Sequence, residues 1–478
     1  MKFTRISFII FLVCFYEFSS AQTDSSNIIQ IPADSVKADD TSSLFIASIS
    51  IYGNNKTKNF IIEREIPFKQ GDYVAAKDIQ KKLETAKEQL INTSLFLDVS
   101  VFIQNRYGQF VFITVYLKER WYIFPLPYFS LVDKNINTWW VTYNHSLKRA
   151  NYGIKFLHNN ISGRNDKFTL WLITGYTRQI SLKYERPYFD AKLQNGYNIL
   201  FNYTQQRELN YATSLSKQQF FKPDSSFFVR RGIIAQADYV YRPALRTRHI
   251  FSVGFTEENL SDTIIKLNPN YLPIGKTKVA FPLFAYTLQY FHADYNAYPT
   301  KGFLGQGTLS YRGGFNSGIN LTQLQLISSY TLPVSPKTQI QFKEGAILDL
   351  PFNQPFYNKK MFGYGGIFMR GYEYYVIDGV AGFVERTTLQ HKLLQFNLNL
   401  KEGKQEVDLP LTFYGKIFGD VGYAYDKNAG NSLLNNKLIH SWGFGFDLIT
   451  FYDIVFKFDY SFNQLGQSGL FIHVRTDF

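Results

Sequence analysis

Apolar positions recur along this chain with two different periods, and the change falls near residue 120. Phe45, Ala47, Ile49 and Ile51 alternate as one strand would, and Gly53-Asn54-Asn55 reads as the turn after it. Thr57 stands in the N-cap position of a short helix through Ile66. Ile79, Leu83, Ala86 and Leu90 then recur at helical spacing, predicting a helix over roughly 77–91 with one buried stripe. Strands are expected over 97–103 and 110–117. The order β-α-α-β-β makes residues 44–120 a small α+β domain, with barely enough chain to bury one core.

From Trp121 onward helical spacing disappears, and about 16 short stretches alternate with period two. Tyr452, Ile454, Phe456, Phe458 and Tyr460 oppose Asp453, Lys457 and Asp459. Leu470, Ile472, Val474 and Phe478 oppose His473, Arg475 and Asp477. Leu411, Phe413, Ile417, Val421, Tyr423 and Tyr425 oppose Thr412, Lys416 and Asp420. A soluble sandwich alternates too, so the connections have to decide. Short ones carrying Pro187, Pro243, Pro299, Pro333 with Pro336, and Pro410 follow even strands. The longest, 206–228, 258–281, 349–380 and 426–437, follow odd strands. Short turns on one rim and long loops on the other are the layout of a membrane-spanning antiparallel β-barrel. Residues 121–478 allow about 22 residues per strand with its connection, where a spanning strand needs about 9–11.

Composition fits this layout. Of 478 residues 18% are aromatic, including 34 Tyr and 46 Phe, which suit a lipid-facing surface and its two interfaces. The formal charge is +13, but the Lys and Arg are scattered rather than gathered in a stripe, so nucleic acid is not an expected partner. Residues 44–120 hold eleven basic and eight acidic side chains, 22–43 net −3 and 1–21 net +1, which leaves +12 in 121–478. Charge on a lipid face is costly, so that excess is expected in the lumen or on the loops.

The start reads as a signal peptide over 1–21: Lys2 and Arg5, an apolar run from Phe8 to Tyr16, and Ser19-Ser20-Ala21 before a cut ahead of Gln22. A lipoprotein signal ending at Cys14 is the less favoured alternative. Residues 22–43 read as a linker. Beyond Cys14 there is no cysteine, which excludes disulfides and thiolate metal sites from the rest of the chain. No segment is long and apolar enough for a transmembrane helix, so membrane crossing requires a closed barrel.

Residues 44–120 resemble a POTRA domain, a periplasmic module of outer-membrane insertases and transporters. The resemblance rests on Ile49-Ser50-Ile51-Tyr52-Gly53-Asn54, Arg64-Glu65-Ile66, Gly71-Asp72, Leu95-Phe96 leading into Val99, and Glu119-Arg120. With the barrel over 121–478, the chain resembles a single-POTRA member of the BamA/TamA-like superfamily, whose barrel is of the bacterial surface antigen type. Asp294 through Gly302 looks like that family's D…P-x-x-G turn. Phe362 to Gly366 and Met369-Arg370-Gly371-Tyr372 look like its sixth loop with the [VI]RG[FY] tip, Met369 replacing the usual β-branched residue. Phe418-Gly419-Asp420-Val421-Gly422 looks like the F-x-D-x-G strand motif that receives the arginine. From the residues alone Asp420 faces the lumen by parity, while Arg370 lies in a long loop, where a solvated side chain on an extracellular loop is the favoured reading. The resemblance implies that loop 349–380 folds into the lumen, with Arg370 on Asp420. Asp447, opposite in parity to Trp442, Phe444, Phe446 and Leu448, is a second candidate partner. The resemblance also makes aromatic Phe478 a C-terminal barrel signal.

The expected function is outer-membrane protein assembly or translocation in a Gram-negative bacterium. The POTRA domain, on the periplasmic side, would capture extended clients by strand addition, and the barrel would insert or export them. Expected partners are outer-membrane lipids and unfolded outer-membrane or secreted proteins, with periplasmic chaperones or lipoproteins as further candidates. An anion-passing porin or lipid-handling barrel is the alternative. A hydrolase is disfavoured: the histidines are dispersed, no Gly-x-Ser-x-Gly elbow or phosphate loop occurs, and no cofactor or metal is implied.

Overall fold

The computed structural model describes residues 43–131, 150–223, 227–402 and 405–474. Its N-terminal domain contains β1 (Ser43–Tyr52), α1 (Asn59–Glu65), β2 (Tyr73–Ala75), α2 (Ala76–Asn92), β3 (Phe96–Tyr107) and β4 (Phe110–Glu119). The sheet order is β2-β1-β4-β3, with β1 parallel to β4 and the other pairs antiparallel. The short β2 was not expected from the sequence: three residues carry too little alternation to be read. The predicted stripe Ile79, Leu83, Ala86 and Leu90 is buried against Leu44, Ile46, Val99, Val111, Ile113 and Val115. Thr57 does not cap α1. Lys58 holds the N-cap position without a side-chain bond, and Thr57 is buried against Glu119 instead.

The second part is a sixteen-stranded antiparallel sheet. Its strands are β5 (Ile123–Leu131), β6 (Ala150–Asn159), β7 (Lys167–Gly175), β8 (Thr177–Arg186), β9 (Asn195–Gln206), β12 (Arg230–Tyr241), β13 (Thr247–Leu260) and β14 (Lys278–Ala293). Then come β15 (Gly302–Gly313), β16 (Asn320–Ser335), β17 (Thr338–Leu350), β20 (Ala381–Glu402), β21 (Gln405–Tyr425), β22 (Ile439–Ile449), β23 (Val455–Asn463) and β24 (Ser468–Val474). Each pairs with its sequence neighbours. Two hairpins, β10 (Leu209–Ser214) with β11 (Lys217–Phe221) and β18 (Lys360–Phe362) with β19 (Ile377–Asp378), lie inside long loops, as does α3 (Asp262–Leu267).

The period-two pattern divides the two faces. Ile154, Leu172, Ile180, Leu182, Phe251, Val253, Phe284 and Ile417 are exposed on the outside, whereas Lys416, Asp420, Asp447 and Asp459 are buried inside. The sheet curls back on itself: Trp121 N–H, just before β5, donates to Tyr452 Oη between β22 and β23, and the Phe124 and Tyr452 rings lie 5.6 Å apart. Among the described residues no backbone ladder joins β5 to β24. Phe478 and the alternation through Arg475 and Asp477 lie outside the described residues.

The structure shifts three expectations. Pro410 lies within β21 and Pro333 within β16, not in turns. Their places have a reason, since Pro333 adjoins a register shift and Pro410 lies where β21 has lost its outer neighbour. Asp453 belongs to the turn before β23, with Tyr452 and Asp453 both at positive φ, and not to the lumenal face of the strand.

Candidate functional site

The long connection between β17 and β20 is folded inside the barrel. The pairing of β18 with β19 narrows it into a finger, and Gly363 N–H donates to the Ile367 carbonyl at 3.0 Å to form the tip. Met361, Phe362, Ile367, Met369, Tyr372, Tyr375 and Ile377 of the finger form an apolar cluster with Val384, Ala424, Leu434 and Ile439 of the wall and a neighbouring loop. The wall accommodates these side chains by omission: a Cβ on Gly422 would stand 2.7 Å from Met369 Sδ, and one on Gly345 2.9 Å from Ile367.

Arg370 is at the centre, 7% exposed, and Asp420 is 1% exposed. Arg370 Nε donates to the Asp420 carboxylate at 3.0 Å and Nη2 at 2.5 Å, and the Arg370 backbone N–H adds a bond of 2.9 Å to the same carboxylate. Nη1 reaches Thr388 Oγ1 at 2.9 Å and Nη2 the Thr387 carbonyl at 3.3 Å. The guanidinium also lies 4.0 Å from the centroid of the Phe418 ring. A fork this fully occupied is the bidentate geometry that arginine provides and lysine cannot. Gly371 follows at φ +83, and a Cβ there would meet Ser461 and Ser441 at 3.3 and 3.4 Å. Tyr372 Oη donates to the His440 carbonyl at 2.9 Å, Tyr375 Oη to Gln467 at 2.9 Å, and Asn463 Nδ2 to the Gly371 carbonyl at 2.7 Å. Glu373 approaches His473 of β24 at 3.3 Å. The finger therefore ties together β20 through β24.

Asp447 does not hold Arg370. Its partners are Lys416 Nζ at 2.5 Å and Tyr298 Oη at 2.9 Å, and Lys416 also reaches Asp459 at 2.5 Å. Parity places Asp447 in the lumen but cannot choose between two nearby cations. A cavity of about 300 Å³ separates this cluster from the finger, lined by Lys343, Arg370, Arg386, Lys457 and Glu344 among others.

The N-terminal domain docks on the opposite rim. Glu65 of α1 is buried against Arg242, at 2.5 and 2.7 Å, and both lie against Tyr188. Burial by itself would push the Glu65 carboxyl up. The Arg242 charge overrides it and holds the group below the usual carboxylate range, with Arg64 and Arg248 acting in the same sense. Arg120 forks onto Asp453 at 2.7 and 2.8 Å. Burial again opposes ionisation, and the Arg120 bonds again win, so Asp453 too is held low. Asp294 closes the turn over 294–302, accepting from Thr300 N–H at 3.0 Å and Thr300 Oγ1 at 2.5 Å. That turn sends Tyr295 to Asp453, Tyr298 to Asp447 and Lys301 to Glu84 and Glu88 of α2.

Residues 44–120 match the family model POTRA, described as surface antigen variable number repeat. The N-terminal domain is a POTRA domain. It is followed by sixteen antiparallel strands, so the chain sets one POTRA domain ahead of a β-barrel sheet. Among solved structures the chain is similar to BamA from Haemophilus ducreyi lacking POTRA domains 1-3, with 16% identity over 90% of this chain and 83% of that one and a TM-score of 0.49. It is also similar to CdiB from Escherichia coli, at 10% identity over 95% and 92% with a TM-score of 0.46. CdiB from Acinetobacter baumannii gives 14% identity over 90% and 73% with a TM-score of 0.45. At these scores none of the three transfers a function. No curated protein sequence matches the chain.

Sequence reasoning singled out Arg64-Glu65-Ile66 and Glu119-Arg120 as marks of the POTRA domain but assigned them no task. Glu65 and Arg120 turn out to hold the POTRA domain to the barrel, and Glu119 accepts from the Lys56 and Thr57 backbone N–H groups in the same junction. The partners Tyr188, Arg242 and Asp453 lie 123 to 333 residues away in sequence, beyond any local signal.

Proposed function

We propose that this chain is an outer-membrane protein assembly or translocation factor, with the POTRA domain in the periplasm and loop 349–380 as its internal brace. The observation that carries the reading is the Arg370–Asp420 fork, which pins a 30-residue connection inside the barrel and against its last strands. A passive pore gains little from a buried arginine whose bonds all run to its own wall. A barrel whose C-terminal strands must be held, and on occasion released, does gain from it. In the POTRA domain β3 is a twelve-residue strand at the sheet edge, and among the described residues nothing pairs with its outer side. Such an edge offers backbone groups to an extended client. Outer-membrane or secreted proteins, with chaperones or lipoproteins as helpers, are the partners this reading implies. The test is the outer-membrane and secreted proteome of a deletion strain: loss of a defined client set supports the reading. An unchanged proteome together with anion-selective conductance of the purified chain would replace it by a porin.

A further inference from the structure

The cavity of about 300 Å³ between the finger and the Lys416 cluster is lined by more positive than negative charge. Among the described residues Lys343, Arg370, Arg386, Lys416 and Lys457 bring five cations to it. The carboxylates that face them are Asp447 and Asp459, both on Lys416, and Asp420, on Arg370. Glu373 is turned to His473. Glu344 borders the cavity through its strand, but its carboxylate accepts from Ser328, which has the outward parity of exposed Leu326 and Leu332. Lys343 and Arg386 are direct cross-strand partners on β17 and β20. Like charges so placed repel each other, and a shared anion removes that cost.

The neutral groups of the lining are aimed in the same sense. Gln289 Nε2 donates to Gln306 Oε1 at 2.8 Å, and Gln339 Nε2 to Gln390 Oε1 at 3.1 Å. Gln306 and Gln390 thus spend an oxygen on the wall and present N–H donors to the cavity. The Arg386 guanidinium lies 4.6 Å from the ring centroid of Phe368 in the finger, and Lys457 Nζ lies 5.6 Å from that of Tyr298. Ring contacts of this kind position a cation without supplying a formal negative charge. Cations and N–H donors, set beside carboxylates already committed to Lys416 and Arg370, are the chemistry that binds oxyanions. A volume of about 300 Å³ suits a small multivalent oxyanion and not a polymer.

We propose that this cavity is a binding site for a small multivalent oxyanion of the phosphate class, held by Lys343 and Arg386 on one side and Lys457 on the other, with the Gln306 and Gln390 amides completing its shell. The site rests on the buried finger and not on the assembly reading: a deletion strain with an unchanged proteome overturns that reading and leaves the site standing. The full chain, purified in detergent micelles, is titrated with pyrophosphate in a calorimeter, without divalent metal and at an ionic strength held constant with chloride. The expected result is saturable binding of one pyrophosphate per chain, weakened at least tenfold in Arg386→Gln and several-fold in Gln306→Leu. Arg386 also stands opposite Asp420 in the sheet, so Arg386→Gln can disturb the wall as well as the site. Gln306→Leu removes a donor and no charge, and it decides the matter if the other variant does not fold. No saturable binding by the unmodified chain overturns the proposal. So does binding of equal strength in Gln306→Leu and in folded Arg386→Gln, which would put the anion elsewhere.

Discussion

Arg370 ties the long loop to the barrel wall through a buried ion pair, and the energetics of that pair follow from its burial. Removing one partner of a buried, fully bonded ion pair leaves an uncompensated charge and costs about 3–5 kcal/mol. Arg370→Ala is therefore expected to free the finger, read as new protease cleavage within 351–380 and loss of client assembly in cells. Full activity with an unchanged cleavage pattern would show the pair to be dispensable. Arg370→Lys should behave nearly as badly, because a point charge cannot serve Asp420, Thr388 and the Thr387 carbonyl together. Gly371→Ala should cost about 1–3 kcal/mol for the left-handed backbone, the added methyl also meeting the two serines, and should show in the same assay at reduced size.

Between elements, the POTRA domain and the barrel rim share a core rather than a tether. Tyr122 and Tyr188 complete the apolar cluster of the POTRA domain, which answers how so small a unit buries enough surface. Glu65–Arg242 and Arg120–Asp453 add a charged lock at two separate turns. Both carboxyls have lowered pKa values, so their contribution is complete above the unfolded carboxylate range of about 4. It is lost as pH falls through the lowered folded values. Hydrogen exchange at α1 and at the turn over 242–246 should stay slow from pH 7 to 5 and accelerate below about pH 4 relative to the intrinsic rate. Glu65→Gln should give the same acceleration at neutral pH, since it strands Arg242 without its counter-charge. Protection unaffected by either change would place the lock elsewhere.

At the scale of the molecule, the finger occupies the lumen and the POTRA domain sits on one mouth. Four of the basic side chains, Arg370, Lys416, Arg230 and Lys359, are each engaged by a carboxylate. The intact chain in planar bilayers is expected to conduct little, and Arg370→Ala to raise conductance well above it. High anion conductance in the unmodified chain would contradict this and favour the pore.

Alternation, turn chemistry and helical spacing were enough to read an α+β domain ahead of about sixteen strands, because each is a local property repeated many times. Parity likewise put Asp420 and Asp447 inside, since a strand has only two faces. The sequence could not choose among charges on the same face: Asp447 took Lys416 and Tyr298, and Arg370 took Asp420, by distances that only the folded sheet sets. Nor could it show that Glu65 and Arg120 fasten two domains, or that β20 and β21 overrun the rim. Alternation marks where a strand exists, while its neighbours decide where it is left uncovered.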